Sequence, residues 1–234
     1  RDATLSIRGD LSETLSALTE MTPHDRREPW RERALDARMK RTPAGESPLH
    51  PAGVLRALSP LLGDSIVTTD VGQHQMWSAQ ILGARAPRRF LTSGGFGTMG
   101  FGLPAAIGAA LANPGIKAVC VTGDGSIQMN IQELATLAEL GADVTVILLN
   151  NGHLGLVRQQ QELFYGNRVF AARFEKRADF TAIARGFGVD AERAERAEEI
   201  APLLERAMSH QGPFLAEIMV DETANVFPMV PPGS

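Results

Sequence analysis

The chain has 234 residues, 44% of them hydrophobic and 21% charged, with a formal net charge of -4; this is the balance of an ordinary folded globule. A slight acidic excess excludes the basic footprint of a nucleic-acid or anionic-membrane binder, and no apolar run approaches the ~20 residues of a membrane span. The single cysteine, Cys120, cannot form an internal disulfide and falls in mid-strand, so it reads as a buried structural thiol in a cytoplasmic or organelle-matrix protein.

Ala3 to Arg8 reads as a short strand. Asp10 to Met21 reads as a helix with Asp10 as N-cap, Glu13 three residues on, and one apolar stripe of Leu11, Leu15 and Leu18. Residues 22–47 read as a linker. It holds Pro23, Pro29 and Pro43, and its arginines and lysines alternate with Asp25, Glu28, Glu32 and Asp36. Interleaved charge predicts a short solvated helix over Trp30–Lys40, not a nucleic-acid patch.

Residues 48–234 read as one domain. Leu49 to Leu62 is a predicted helix with Pro51 in its first turn and Gly63 after its end. Ile66 to Thr69 is a strand running into a loop, Asp70 to His74, where Gln73 and His74 can donate hydrogen bonds to phosphate. Phe90 to Ser93 leads into a stretch with Gly94, Gly95, Gly97, Gly100 and Gly102. Such density permits left-handed backbone and close approach to a flat ligand. A helix with many small residues follows over Leu103–Leu111.

Ala118 to Thr122 is apolar and β-branched enough for a buried strand. The turn Gly123-Asp124-Gly125-Ser126 then opens a predicted helix ending at Gly141. Val144 to Leu149 is a second buried strand that delivers Asn150-Asn151. In a right-handed βαβ unit, Asp124 and Asn151 emerge side by side on the edge where open α/β sheets bind ligands. A carboxylate and an amide oxygen, with no His or Cys cluster, suit Mg²⁺ or Ca²⁺ rather than zinc. Free N–H groups of Gly125 and Ser126 at a helix start attract phosphate. The residues alone therefore predict a metal–diphosphate holder. Further on, Phe180–Phe187 and Ala197–Ser209 read as helices, Glu192–Glu199 as a solvated helix face, and Phe214–Val220 as a last strand. Five or six strands alternating with helices predict a doubly wound, mostly parallel, three-layer α/β/α domain.

The spacing Gly123-Asp124-Gly125, twenty-four residues, Asn150-Asn151 resembles the thiamine diphosphate fingerprint. Four runs narrow the resemblance to the C-terminal, cofactor-binding domain of acetohydroxyacid synthase (acetolactate synthase) large subunits. They are Val71-Gly-Gln-His-Gln-Met-Trp77, Leu91 to Gly108, Asn150-Asn-Gly-His-Leu-Gly-Leu-Val-Arg-Gln159 and Pro228-Met-Val-Pro-Pro-Gly233. The resemblance implies Asp124, Asn151 and the main chain of His153 as ligands of Mg²⁺. It implies thiamine diphosphate contacts from Val71, Gly72, Gln73, His74, Gly97, Met99, Gly123, Gly125, Ser126, Leu154, Gly155 and Leu156. Val157 and Gln160 are placed at the substrate.

The same resemblance implies decarboxylation of pyruvate and condensation with a second 2-keto acid, in branched-chain amino acid biosynthesis. Many family members have Trp at the position of Gln160 and Met at that of Leu156. Gln160 therefore puts the family's preference for the larger second substrate in doubt, and a bacterial branch shares the Gln159–Gln161 run. Residues 1–21 resemble the end of a preceding central domain, as if the chain were part of a longer enzyme. FAD would bind only in the full-length enzyme, and the activating Glu would come from a domain not in this chain, so the isolated chain is expected to be inactive. A homodimer or homotetramer of the full chain, with a small regulatory subunit, is expected. The alternatives are another thiamine-diphosphate enzyme (a 2-keto acid decarboxylase, oxidase or glyoxylate carboligase) or a non-catalytic cofactor-binding module.

Overall fold

The structure is a computed structural model that describes residues 3–22, 28–41, 47–83 and 86–229. It divides into two units, residues 1–43 and 44–234. The first unit holds α1 (Leu11–Met21) and α2 (Glu28–Arg41). Asp10 caps α1 through its side chain, which accepts from Glu13 N at 2.9 Å, as the sequence predicts. The strand expected over Ala3–Arg8 is not there: the segment is exposed and has no neighbouring strand to pair with among the described residues. An isolated strand has no ladder partner to satisfy its backbone. The linker prolines Pro23 and Pro43, and the tail beyond Met229, lie outside the described residues.

The second unit is built on one six-stranded parallel sheet in the order β2-β1-β3-β4-β6-β5. The strands are β1 (Ile66–Thr69), β2 (Phe90–Thr92), β3 (Ala118–Gly123), β4 (Val144–Asn150), β5 (Asp190–Ala194) and β6 (Phe214–Met219). One face is covered by α3 (Pro51–Leu58), α4 (Gln73–Ile81) and α10 (Ala197–Ser209), which pack with Val67, Val119, Val121, Ile147 and Ile218. The other is covered by α5 (Gly102–Ala112), α7 (Glu133–Leu140) and α9 (Phe180–Gly186), which pack with Cys120, Val146, Leu148 and Leu215. Burial on both faces explains why β3 and β4 read as runs of mostly apolar and β-branched residues. Cys120 is fully buried; burial, then nearby Asp70, pushes its thiol well up, so it is inert packing.

Three further expectations need correction. Gln73 and His74 are the first turn of α4, not loop residues. The helix expected from Gly123 to Gly141 is broken into α6 (Asp124–Ile127) and α7. Between them the backbone tightens into three-residue turns, such as Met129 N to Ser126 O at 3.1 Å, and Asn130 Nδ2 leaves the helix surface to donate to Gly100 O at 3.1 Å. Residues 190–194 form edge strand β5, not a helix face: Ala191 and Ala194 are buried while the charged positions point outward. Finally, α8 (Gly155–Phe164) carries residues that the sequence shows only as a polar run.

Leu148 is fully buried in the central strand β4. Leu148→Ala is expected to lower the unfolding free energy by about 2–5 kcal/mol, read as a lower urea midpoint with an unchanged slope.

Candidate functional site

The site lies where β1, β3 and β4 end. Gly123 pairs with Leu149 in the parallel ladder, so Asp124 and Asn151 leave neighbouring strands at one level. The chain runs from β1 outward to β2 and then returns to β3 on the other side of β1. Such a reversal opens a crevice at the strands' carboxyl ends. A cavity of about 170 Å³ occupies it.

Of the residues singled out in the sequence, the cavity wall contains Val71 to His74, Met99, Gly123 to Ser126, Asn151, and His153 to Val157 with Gln160. Gly97 is not in that wall; it sits at φ +67° in the exposed 94–98 turn. The wall also contains Pro51, Trp77, Leu149 and Val220, which sequence reasoning missed. Only Trp77 carried a signal: it falls one helical turn beyond Gln73 and His74, on the same face of α4.

Asp124 is 2% exposed. Its Oδ1 accepts from its neighbour Gly125 N at 3.1 Å, but Oδ2 is buried with no hydrogen-bond partner. Burial outweighs the N–H groups of Gly125 and Gly152 and pushes the carboxyl from its ordinary 3.8 up to about 6. An orphaned buried carboxylate oxygen in a cavity wall has room for one compensating cation. Asn151 Oδ1 accepts from His153 N at 3.1 Å, and its Nδ2 donates to Gln73 Oε1 at 3.3 Å. Gly152 stands at φ +68° between them. The His153 ring is turned back on its own loop, with Nδ1 2.9 Å from Asn151 O. Among the described residues, no cluster of three or more His, Cys, Asp or Glu side chains could hold a metal. The available donors are therefore a mixed oxygen set of carboxylate, amide and main chain, suited to a hard cation that keeps water or phosphate as further ligands.

Second supports surround these donors. Asp70 is buried behind His74 and accepts from its Nε2 at 2.6 Å, from Thr122 Oγ1 at 3.2 Å and from Gly102 N at 3.3 Å. This holds the imidazole with Nδ1 packed against Gly123, where an added Cβ would lie only 2.9 Å away. Ser126 Oγ accepts from Gly100 N at 3.1 Å, joining the glycine-rich stretch to α6. Two glycines are required by close approach. A Cβ on Gly125 would stand 2.6 Å from Leu154 Cδ2, and one on Gly155 would stand 2.2 Å from Gln73 Oε1 and 2.6 Å from Asn151 Nδ2.

A carboxyl whose pKa is raised by folding holds its proton longer in the folded state. Its penalty is absent below about pH 4, grows as pH rises from 3.8 to about 6, and is complete above; the shift corresponds to about 2–3 kcal/mol. Asp124→Asn is thus expected to stabilise the metal-free chain by that amount in urea unfolding at pH 8 and to do little at pH 4. Mg²⁺ should stabilise the parent and not the variant. Gly155→Ala should displace Asn151 and weaken Mg²⁺ binding at least about tenfold by calorimetry, in the range seen when a metal ligand's support is lost.

Comparison with known proteins agrees with this geometry. Residues 70–218 match the family model described as "Thiamine pyrophosphate enzyme, C-terminal TPP binding domain". The chain is 44% identical to the acetolactate synthase isozyme 1 large subunit of Escherichia coli (strain K12), over 98% of this chain and 42% of that protein. It is 43% identical to the acetolactate synthase large subunit of Parasynechococcus marenigrum (strain WH8102), over 100% of this chain and 39% of that protein. To a probable acetolactate synthase large subunit of Methanococcus aeolicus it is 42% identical, over 80% of this chain and 32% of that protein. The chain thus spans about two-fifths of the length of the first two relatives and a third of the third. With the matched segment containing every residue of the cavity wall but Pro51 and Val220, the chain belongs to the thiamine pyrophosphate enzymes and carries their C-terminal TPP-binding domain.

Proposed function

We propose that this chain is the cofactor-binding part of an acetolactate synthase, which decarboxylates pyruvate and joins the remaining two carbons to a second 2-keto acid. The observation that carries the reading is the partnerless buried Oδ2 of Asp124 in the wall of the cavity. It fits a site for Mg²⁺, which would bring the positive charge this oxygen lacks and would accompany a diphosphate. Asp124, Asn151 and the main chain of His153 would hold Mg²⁺. Gly72, Gln73, His74, Gly125 and Ser126 would hold the diphosphate, and Met99, Leu154 and Leu156 the rings. When bound, thiamine diphosphate supplies an electron sink for the carbon that loses CO₂.

The chain's own residues then bind, orient and exclude water. Met99 is a bulky, adaptable thioether in the cavity wall and suits a wedge against a bent ligand. Leu154 and Leu156 give the cavity an apolar side, where electrostatic interactions strengthen. Val157 and Gln160 line both this cavity and a more open hollow that they share with Gln161, Tyr165 and Arg168. The second keto acid would meet Gln160 there. Asp124 is the only carboxylate in the described cavity wall and is committed to the metal, so the activating Glu is assigned to another domain of a longer, oligomeric enzyme. Flavin is assigned outside this cavity, and the setting is cytoplasmic.

Calorimetry tests the binding reading: thiamine diphosphate should bind only with Mg²⁺ present, and Asp124→Ala should abolish the heat. Binding unaffected by Asp124→Ala would overturn it. In the enzyme of natural length, Gln160→Trp should raise acetohydroxybutyrate over acetolactate from mixed keto acids, by roughly tenfold if the ring encloses the extra methyl. An unchanged product ratio would remove Gln160 from substrate selection.

A further inference from the structure

A side-chain amide has a donating end and an accepting end, and which end meets a metal depends on what holds the other. Asn151 must turn Oδ1 toward a cation, because its NH₂ end would repel one. Its Nδ2 is held by Gln73 Oε1 at 3.3 Å. Gln73 in turn donates from Nε2 to Gln159 Oε1 at 2.7 Å and to the Ala224 carbonyl at 2.9 Å. Gln159 is fully buried. Its Oε1 also accepts from Val226 N at 2.9 Å, while its Nε2 donates to the Val226 carbonyl at 2.9 Å and reaches Met229 Sδ at 3.1 Å.

A backbone N–H and C=O cannot exchange places. The Val226 peptide therefore fixes which way round the Gln159 amide sits: reversing it would set donor against donor and oxygen against oxygen in a buried site. With Gln159 fixed, Gln73 must aim Nε2 at two oxygens. With Gln73 fixed, Asn151 aims Nδ2 at Gln73 and Oδ1 the other way, where it also accepts from His153 N at 3.1 Å, so Gln73 and the 151–153 turn set the same direction. The segment that supplies the anchor is itself clamped by the neighbouring Arg158, whose guanidinium donates to the Ala224 carbonyl and to Asn225 Oδ1, both at 2.8 Å, and to Glu162 Oε2 at 2.6 Å.

We propose that Gln159 is a positioning residue that transmits the fixed polarity of the Val226 peptide, through Gln73, to the metal ligand Asn151. Docking of residues 223–229 thereby presents the Asn151 oxygen to the cation. The proposal rests on the reading that Asp124 and Asn151 hold Mg²⁺. A residue that merely filled space would not depend on the direction of its amide, and the tests use that difference.

In the metal-free protein, hydrogen exchange of the Asn151 side-chain NH₂ is followed by ¹⁵N NMR. Gln159→Met keeps length and bulk without an amide and should speed that exchange about tenfold or more, as expected when a link in a buried network is cut. An unchanged rate overturns the relay, whatever the metal does. In the protein of natural length, loaded with thiamine diphosphate, Gln159→Met should weaken Mg²⁺ about tenfold in calorimetric titration. The same change made on Asn151→Asp should weaken it less than about threefold, because a carboxylate has two equivalent oxygens and no direction to lose. Equal losses in both backgrounds overturn the relay. A parent that binds no Mg²⁺ overturns the metal reading, and the exchange rate still decides the relay. If Gln159→Met does not fold, Gln159→Leu, which also lacks an amide, takes its place with the same two readings and the same outcomes.

Discussion

A carboxylate oxygen buried without a partner is the constraint around which this fold is arranged. Taking an ion out of water costs several kcal/mol even after the protein relaxes around it, and Asp124 Oδ2 has no donor beside it. The parallel ladder of β3 and β4 carries Asp124 to the crevice whatever the cost, because Gly123 is the last paired residue of β3. On the Mg²⁺ reading, the surroundings admit a cation and its anion rather than hide the charge. Gly125 and Gly155 lack the side chains that would collide with Leu154, Gln73 and Asn151. His74 is braced from behind by Asp70, so its ring packs against Gly123 rather than turning away. On that reading, a bound cation would offset the burial that raises the Asp124 carboxyl.

How much of this was legible depended on whether the evidence lay along the chain or across it. Strands β3 and β4 are buried on both faces, so their mostly apolar, β-branched runs announce themselves without context. Strand β5 does not: at the sheet edge only Ala191 and Ala194 face inward, and the flanking charges imitate a solvated helix. The interruption between α6 and α7 has no mark in the apolar spacing, because its cause is a contact with Gly100, thirty residues away in the chain. Helix α8 hid for a related reason. Arg158 and Gln159 look like surface residues, and they are buried only because residues 223–226 return to cover them. The site was more legible than these elements. Its residues leave strand ends at fixed spacings, and a motif records spacing. Gly97, outside the cavity wall, and Pro51 and Val220, inside it, mark where spacing stops being informative.

The paired asparagines show why the motif needs two residues of one type. Asn150 is 2% exposed; it donates from Nδ2 to Glu217 Oε1 at 2.7 Å, and its Oδ1 accepts from Gly152 N at 3.1 Å. Glu217 is itself fully buried, and its other oxygen accepts from Arg193 Nε at 2.8 Å. A carboxylate can only accept, so it fixes the direction of the Asn150 amide and leaves that oxygen to close the turn at Gly152. Buried ion pairs contribute little net stability compared with apolar packing; what this one supplies is a direction. Asn151 is oriented from the opposite side, by Gln73. One asparagine shapes the turn and the next uses it, each held by a different partner. Exchanging either for aspartate would therefore have different consequences: at 150 it would bring a second carboxylate against Glu217, whereas at 151 it would leave an oxygen where a cation wants one.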